Sequence, residues 1–215
     1  MRKLLNKLDR KYGRYGIENL MLYIIGAIAI VYFMDYALYG RLEVPLNWLL
    51  MFNRDAIFRG ELWRLVTFAF TAPATHPLLL VFTLYFYWLS GSGLEAQWGR
   101  FKFNVFYFFG LICTLISGLI TGYATNEYIN LTLFLAFAIL YPNFELLLFF
   151  FIPIKVKYLA ILDAVGLVFS FVISNWKGKI ALVIAIGNLI LFFGPDIIDS
   201  IKNAKRRHDF KKQMK

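Results

Sequence analysis

The chain has one cysteine, two histidines and few charges, with only 17% of its 215 residues Asp, Glu, Lys or Arg. The lone thiol, Cys113, excludes an intrachain disulfide, and its place inside an apolar run makes it a small packing residue. His76 and His208 stand far apart, and neither an H-E-x-x-H motif nor a Cys/His cluster occurs. No donor set for a metal follows, and no cofactor is implied. A glycine-rich phosphate loop is also missing, so nucleotide-driven work by this chain alone is not expected. The scarcity of charge has the widest consequence. With 60% hydrophobic residues, 23 Phe and 13 Tyr, a soluble domain of this length could not cover its apolar surface. The solvent that fits is lipid.

Apolar runs near the crossing length of about 20 residues recur along the chain. They predict six spans, at about residues 18–38, 76–94, 103–124, 128–142, 158–174 and 180–200. The first carries a long basic flank and no cleavage signal, so it should stay as an anchor. Residues 39–75 are rich in Trp and Phe but broken by Arg41, Pro45, Arg54, Arg59, Gly60 and Arg64, which predicts an interfacial loop with short amphipathic helices. Span four is short, and the stretch NFELLLFFFIPIK behind it is interrupted by Pro153. The expected fold is all-α: one polytopic bundle of six transmembrane helices with a large first loop. A basic N-terminus at residues 1–17 and a basic tail at 201–215 flank it.

Net charge is +10, concentrated in MRKLLNKLDRKYGR and KNAKRRHDFKKQMK. Basic ends beside apolar spans are those of a cytoplasmic face lying against anionic lipid, so the bilayer is the partner and nucleic acid is not. Of the 23 Lys and Arg, all but Arg41, Arg54, Arg59, Arg64, Lys177 and Lys179 fall on the side that holds both termini. The positive-inside rule then gives an N-in, C-in topology with the long loop outside. Abundant Phe and Tyr, one cysteine and very basic ends suit a bacterial inner membrane.

Some residues in the spans are not lipid-like. Gly110, Thr114, Gly118 and Gly122 recur every four positions, one face of span three, where a neighbouring helix can approach closely. Ser117 sits beside this stripe, as a packing residue or as the one serine to test as a nucleophile. Asp35, Asp163 and Asn188 form a candidate intramembrane polar set, since such groups are costly in lipid and face a protein interior or a wet cavity. Asp163 could instead reach the cytoplasmic headgroups. Gly187 beside Asn188 would let a helix come near.

Three stretches in fixed order carry a resemblance: GELWRLVTFAF in the loop, GSGLEAQWGRFKFNVFYFFG across spans two and three, and LYPNFELLLFFFIPIKVKYLAIL after span four. The chain resembles the rhomboid superfamily, which includes rhomboid proteases and the Derlins, over nearly its whole length. The family's loop Trp-Arg pair is matched by Trp63 and Arg64, and its Leu-Glu followed by Gly and basic residues by Leu94, Glu95, Gly99 and Arg100. The pair also has a physical role of its own. Trp suits a headgroup boundary, and Arg can donate several bonds to carbonyls or phosphates. Glu61 would reach Arg64 if the segment is helical.

The resemblance implies chemistry that this chain lacks. Rhomboid proteases place Gly-x-Ser-Gly at the start of span four and a histidine in span six, where the serine attacks and the histidine takes its proton. Here ATNEYINLTLFLAFAIL holds neither serine nor glycine, and KIALVIAIGNLILFFGPDI holds no histidine. The family's His-x-x-x-Asn of span two falls at about Leu79 and Thr83. Ser90, Ser92 and Ser117 have no histidine placed as base. The expectation is an inactive rhomboid-like protein that handles transmembrane segments of client proteins in quality control, trafficking or degradation. Two alternatives stand beside it: a protease with an unrecognised nucleophile, and a small-molecule transporter or channel lined by Asp35, Asp163 and Asn188.

Overall fold

The computed structural model describes residues 2–73, 76–148 and 152–213. Ten α-helices are described, starting with the basic amphipathic α1 (Arg2–Tyr12) and α2 (Leu20–Ala37). Three short ones follow: α3 (Leu46–Leu50), α4 (Arg54–Phe58) and α5 (Arg64–Thr67). Then come α6 (Pro77–Trp98), α7 (Arg100–Thr121), α8 (Glu127–Leu140), α9 (Val156–Ile173) and α10 (Trp176–Gln213). Five of them, α2, α6, α7, α9 and α10 over Trp176–Gly194, are long and apolar enough to cross a membrane. They mark a multi-pass membrane protein.

Length sorts the elements. At about 1.5 Å per residue, α6 and α7 reach about 33 Å and α2 and α9 about 27 Å, against a hydrocarbon core of about 30 Å. The 14 residues of α8 reach only about 21 Å. The expected span at 128–142 is therefore a short apolar helix that ends at Leu140. In contrast, α10 runs on through the basic tail, so the backbone of residues 201–213 is helical.

The bundle is mostly helical, as expected, with one local exception. NFELLLFFFIPIK folds in part as a β-hairpin, β1 (Glu145–Leu148) against β2 (Ile152–Lys155), antiparallel, with Glu145 opposite Lys155. Pro153 denies this run a helical ladder, whereas in a two-stranded ribbon both strands are edges and the missing N–H is tolerated. Leu146 is buried beside Phe137 and Val156, which seats the hairpin on α8 and α9.

The core centres on α7. Its buried residues, Phe103, Asn104, Phe106, Tyr107, Gly110, Thr114, Ser117, Gly118 and Thr121, recur at three and four, one broad face of a 3.6-residue helix. Between helices in lipid the attraction is packing rather than water expulsion, so small residues and interlocking rings do the work. Trp98 at the end of α6 lies 4.6 Å from the Phe193 ring of α10, and Phe106 packs edge-on to both Trp98 and Phe192. Helix α9 is peripheral: only Val156 and Leu167 are buried, while Ile161, Leu162, Val165 and Val168 face outward.

Candidate functional site

The first built feature is a clamp in the segment between α2 and α6. Helix α3 is so short that its last carbonyls have no intrahelical donors. Side chains of α5 and its flank supply them. Arg64 donates from Nη1 to the carbonyls of Trp48 (2.9 Å) and Met51 (2.8 Å), the Trp63 indole N–H to Leu49 (3.3 Å), and the Thr67 hydroxyl to Leu50 (2.9 Å). Four successive carbonyls are thus satisfied. Arg64 is buried, and Glu61 Oε2 accepts from its Nε at 2.7 Å, balancing the charge. The other end of α3 is capped by Asp35, whose Oδ1 accepts the Asn47 N–H at 3.2 Å.

Two asparagines extend the clamp. Asn47 pairs with Ala72 in both directions, and Asn126, just before α8, donates to the carbonyls of Ala69 and Thr71. The segment is bound to itself and to the start of α8. Asp35 therefore works as a helix cap in this clamp, apart from Asp163 and Asn188.

The second feature gathers Leu94, Glu95, Gly99 and Arg100 at the opposite ends of α6 and α7. Gly99 alone separates the two helices, at φ +84° and ψ 155°, a conformation that is essentially glycine-only. Leu94 is fully buried. Glu95 accepts the N–H of Asn19 at 2.9 Å, where the chain enters α2 with φ 51°. Arg100 ion-pairs with Glu18 and donates to the Gly13 carbonyl, while Asn104 donates to Ile17. The motif fastens the approach to α2 onto the α6–α7 turn.

The expected glycine stripe divides into different tasks. A Cβ on Gly110 would lie 2.8 Å from Asn188 Nδ2, so this position brings α7 and α10 together. Thr114 bonds back to the Gly110 carbonyl at 2.9 Å. Gly118 admits the Phe52 ring and Ala124 rather than another long helix, and Gly122, at φ +88°, is the left-handed cap of α7. Gly187 has no neighbour within 4 Å of where a Cβ would stand, so close approach does not depend on it. Asn188 is buried, and its Oδ1 has no hydrogen-bond partner among the described residues.

The third feature is a cavity of about 530 Å³ between α6, α8 and α9. Most of its wall is apolar, including Phe82, Phe86, Phe134 and Leu162, but Thr83, Tyr87, Glu127, Asn130 and Asp163 also line it. Asn130 is 1% exposed, and its amide pairs with the Tyr87 hydroxyl, a contact looser than an ideal hydrogen bond. A second hollow shares Glu127, Leu131, Leu162 and Asp163 and continues along α9 to Ser170. Asp163 thus lies on a groove, about two fifths of the way along α9. It is not brought together with Asp35.

The positions matched to the protease family's catalytic elements hold other groups. Leu79 and Thr83 line the cavity, and the Thr83 hydroxyl is spent on the Leu79 carbonyl at 2.9 Å. Ser90 and Ser117 are buried, their hydroxyls without a partner among the described residues, and His76 Nδ1 accepts the Leu78 N–H to cap α6. The side chain of His208 lies outside the described residues.

Glu127 and Asn130 also line the cavity, outside the candidate set that the sequence suggests. The signal was present in EYINLTLF, a charged residue and an amide at i and i+3, placed on one helical face by spacing. A search of protein-family models and of curated proteins finds no match for this chain.

Proposed function

We propose that this chain is a non-catalytic, rhomboid-like integral membrane protein that holds transmembrane segments of other proteins. The observation that carries this reading is the cavity between α6 and α9, floored by the short α8 and walled mostly by apolar and aromatic side chains. Such a wall fits an apolar helix arriving from the bilayer better than a hydrated solute. Its position supports the likeness, because Leu79 and Thr83, matched to a catalytic motif of the family, line it. Where a protease would polarise a peptide bond, this wall offers a leucine and an internally bonded threonine. The order of the Trp-Arg and Leu-Glu…Gly-Arg motifs adds to the case, since both are spent on holding the scaffold.

In this reading α8 is the fourth of six spans, shorter than the bilayer, and both termini are cytoplasmic with the α3–α5 segment outside. A short span thins lipid locally and eases lateral access of a client helix. The client class is membrane proteins awaiting quality control, trafficking or degradation, in a bacterial inner membrane.

The test is position-specific capture. A photo-reactive residue replacing Leu162, on the cavity, is compared with one replacing Val183, on the exposed face of α10, in liposomes that carry defined single-span proteins. Adducts from position 162 well above those from 183 support the reading. Equal yields at both positions would reduce the cavity to ordinary lipid-facing surface.

A further inference from the structure

Resting on the proposed holding function, the hydrogen-bond pattern of the hairpin names a second contact with the held chain. Phe144 and Val156 stand opposite each other in continuation of the β1–β2 register, and the Phe144 carbonyl accepts the Val156 N–H at 2.9 Å. Bonded and non-bonded pairs alternate along an antiparallel ribbon. Leu146 and Ile154 are therefore a bonded pair, whereas Glu145 with Lys155 and Leu147 with Pro153 turn their backbone groups outward. The two outer edges are unequal as a result. Proline has no N–H, so Pro153 blunts the outer edge of β2. On β1, Glu145 and Leu147 each present both an N–H and a C=O, and no third strand joins the ribbon among the described residues. Glu145 is exposed, with its carboxylate turned to Lys155 inside the ribbon at 3.9 Å.

Position is the independent observation. Leu146 packs in one apolar cluster with Phe86, Phe134 and Leu159, and those three also line the cavity. Through Leu146, β1 is joined to the cavity wall. Tyr141, just past α8, donates its hydroxyl to the Gly93 carbonyl at 3.4 Å, which sets the hairpin beside the end of α6. This is the level at which α8 stops and α9 starts. A span held in the cavity ends near here too, and its last carbonyls and the residues after it have no intrahelical partners.

We infer that the outer edge of β1 pairs, as with an added strand, with the extended segment that follows a held transmembrane helix. Main-chain bonds carry the affinity of such pairing. They make few demands on side chains, so the edge accepts clients of many sequences. What it requires is an extended backbone with free N–H groups, which a continuous helix or an N-alkylated chain does not offer.

The experiment uses the full chain in phosphatidylcholine/phosphatidylglycerol vesicles with a photo-reactive residue at Leu162. The probes are synthetic Leu/Ala helices of about 21 residues, either bare, with a short extended Val/Thr tail, or with the same tail N-methylated throughout. Methylation removes the backbone donors and keeps every side chain. Wild-type protein should capture the tailed helix about tenfold better than the bare or methylated one. Leu147→Pro removes an outward N–H and leaves the bonds to β2 in place, so it should bring that ratio close to one. Undiminished capture of the bare helix by Leu147→Pro shows that the variant is folded. Equal capture of tailed and methylated helices by the wild type overturns the strand pairing while the holding function stands. Capture of none overturns both. An unchanged preference in folded Leu147→Pro overturns the assignment to β1. A disulfide between two copies of Glu145→Cys in a Cys113→Ala background, with no preference for the tail, would give the edge to a second copy of the chain instead.

Discussion

Arg64 holds the carbonyl of Met51 at 2.8 Å, the last contact in a row that caps a five-residue helix from a neighbouring one. The guanidinium does this while buried, with its charge balanced by Glu61 through a different nitrogen. That division of labour, Nη1 to carbonyls and Nε to a carboxylate, is why an arginine stands here. The Trp-Arg pair is a structural device of this segment.

Arg64→Ala leaves two carbonyls and a part-buried carboxylate without their donor. Breaking such a charged group should cost about 3 kcal/mol, read as a drop in thermal stability in detergent. Arg64→Lys should recover less than half of that, because one ammonium cannot serve Glu61 and both carbonyls. Full recovery by lysine would show that charge alone matters.

Gly118 and Gly187 make opposite predictions for the same substitution. A Cβ on Gly118 would stand 2.8 Å from Ala124 and from the Phe52 ring, and overpacking of this kind costs about 1–3 kcal/mol. Gly187→Ala meets nothing within 4 Å and should be neutral or stabilising by up to about 1 kcal/mol through helix propensity. Thermal melts of the two variants side by side decide it.

Gly99→Ala isolates a backbone effect. No atom lies within 4 Å of the added methyl, yet the φ of +84° is strained for any other residue at a cost of about 1–3 kcal/mol. The loss should appear first as faster proteolysis within residues 13–19, because Glu95, Arg100 and Asn104 fasten that segment from either side of Gly99. Unchanged cleavage there would separate the turn from the fastening.

Asn126→Ala removes two buried hydrogen bonds, to Ala69 and Thr71. A cost of about 2 kcal/mol follows at about 1 kcal/mol each. Hydrogen exchange should rise in residues 68–72 and at the start of α8 while α7 keeps its protection. A uniform rise along the chain would argue against a local tie.

The long spans were legible because lipid imposes a length: apolar runs such as those containing Gly110 or Asn188 must be about 20 residues long to cross it. Trp63 and Arg64 could be singled out, but their partners could not, since backbone carbonyls leave no mark in a sequence. The hairpin escaped for a different reason. A short apolar run of Leu, Phe and Ile reads equally as strand or buried helix, and Pro153 marks a break without saying which. Asp35 shows the same limit: a carboxylate near the end of a span can line a cavity or cap a neighbour, and only the position of Asn47 separates the two. The α6–α8–α9 groove depends on pairing three helices distant in sequence, which periodicity in any one of them does not encode.

The measurement that tests the account most directly joins capture to cleavage. Purified protein with a photo-reactive residue at Leu162 is mixed in liposomes with single-span proteins that carry helix-breaking residues, and adducts are weighed by mass spectrometry. The account predicts adducts containing the whole client span, no cleavage products, and no labelling by a fluorophosphonate serine probe. Truncated spans, or a fluorophosphonate adduct on Ser90, Ser92 or Ser117, would contradict it and make the chain a protease.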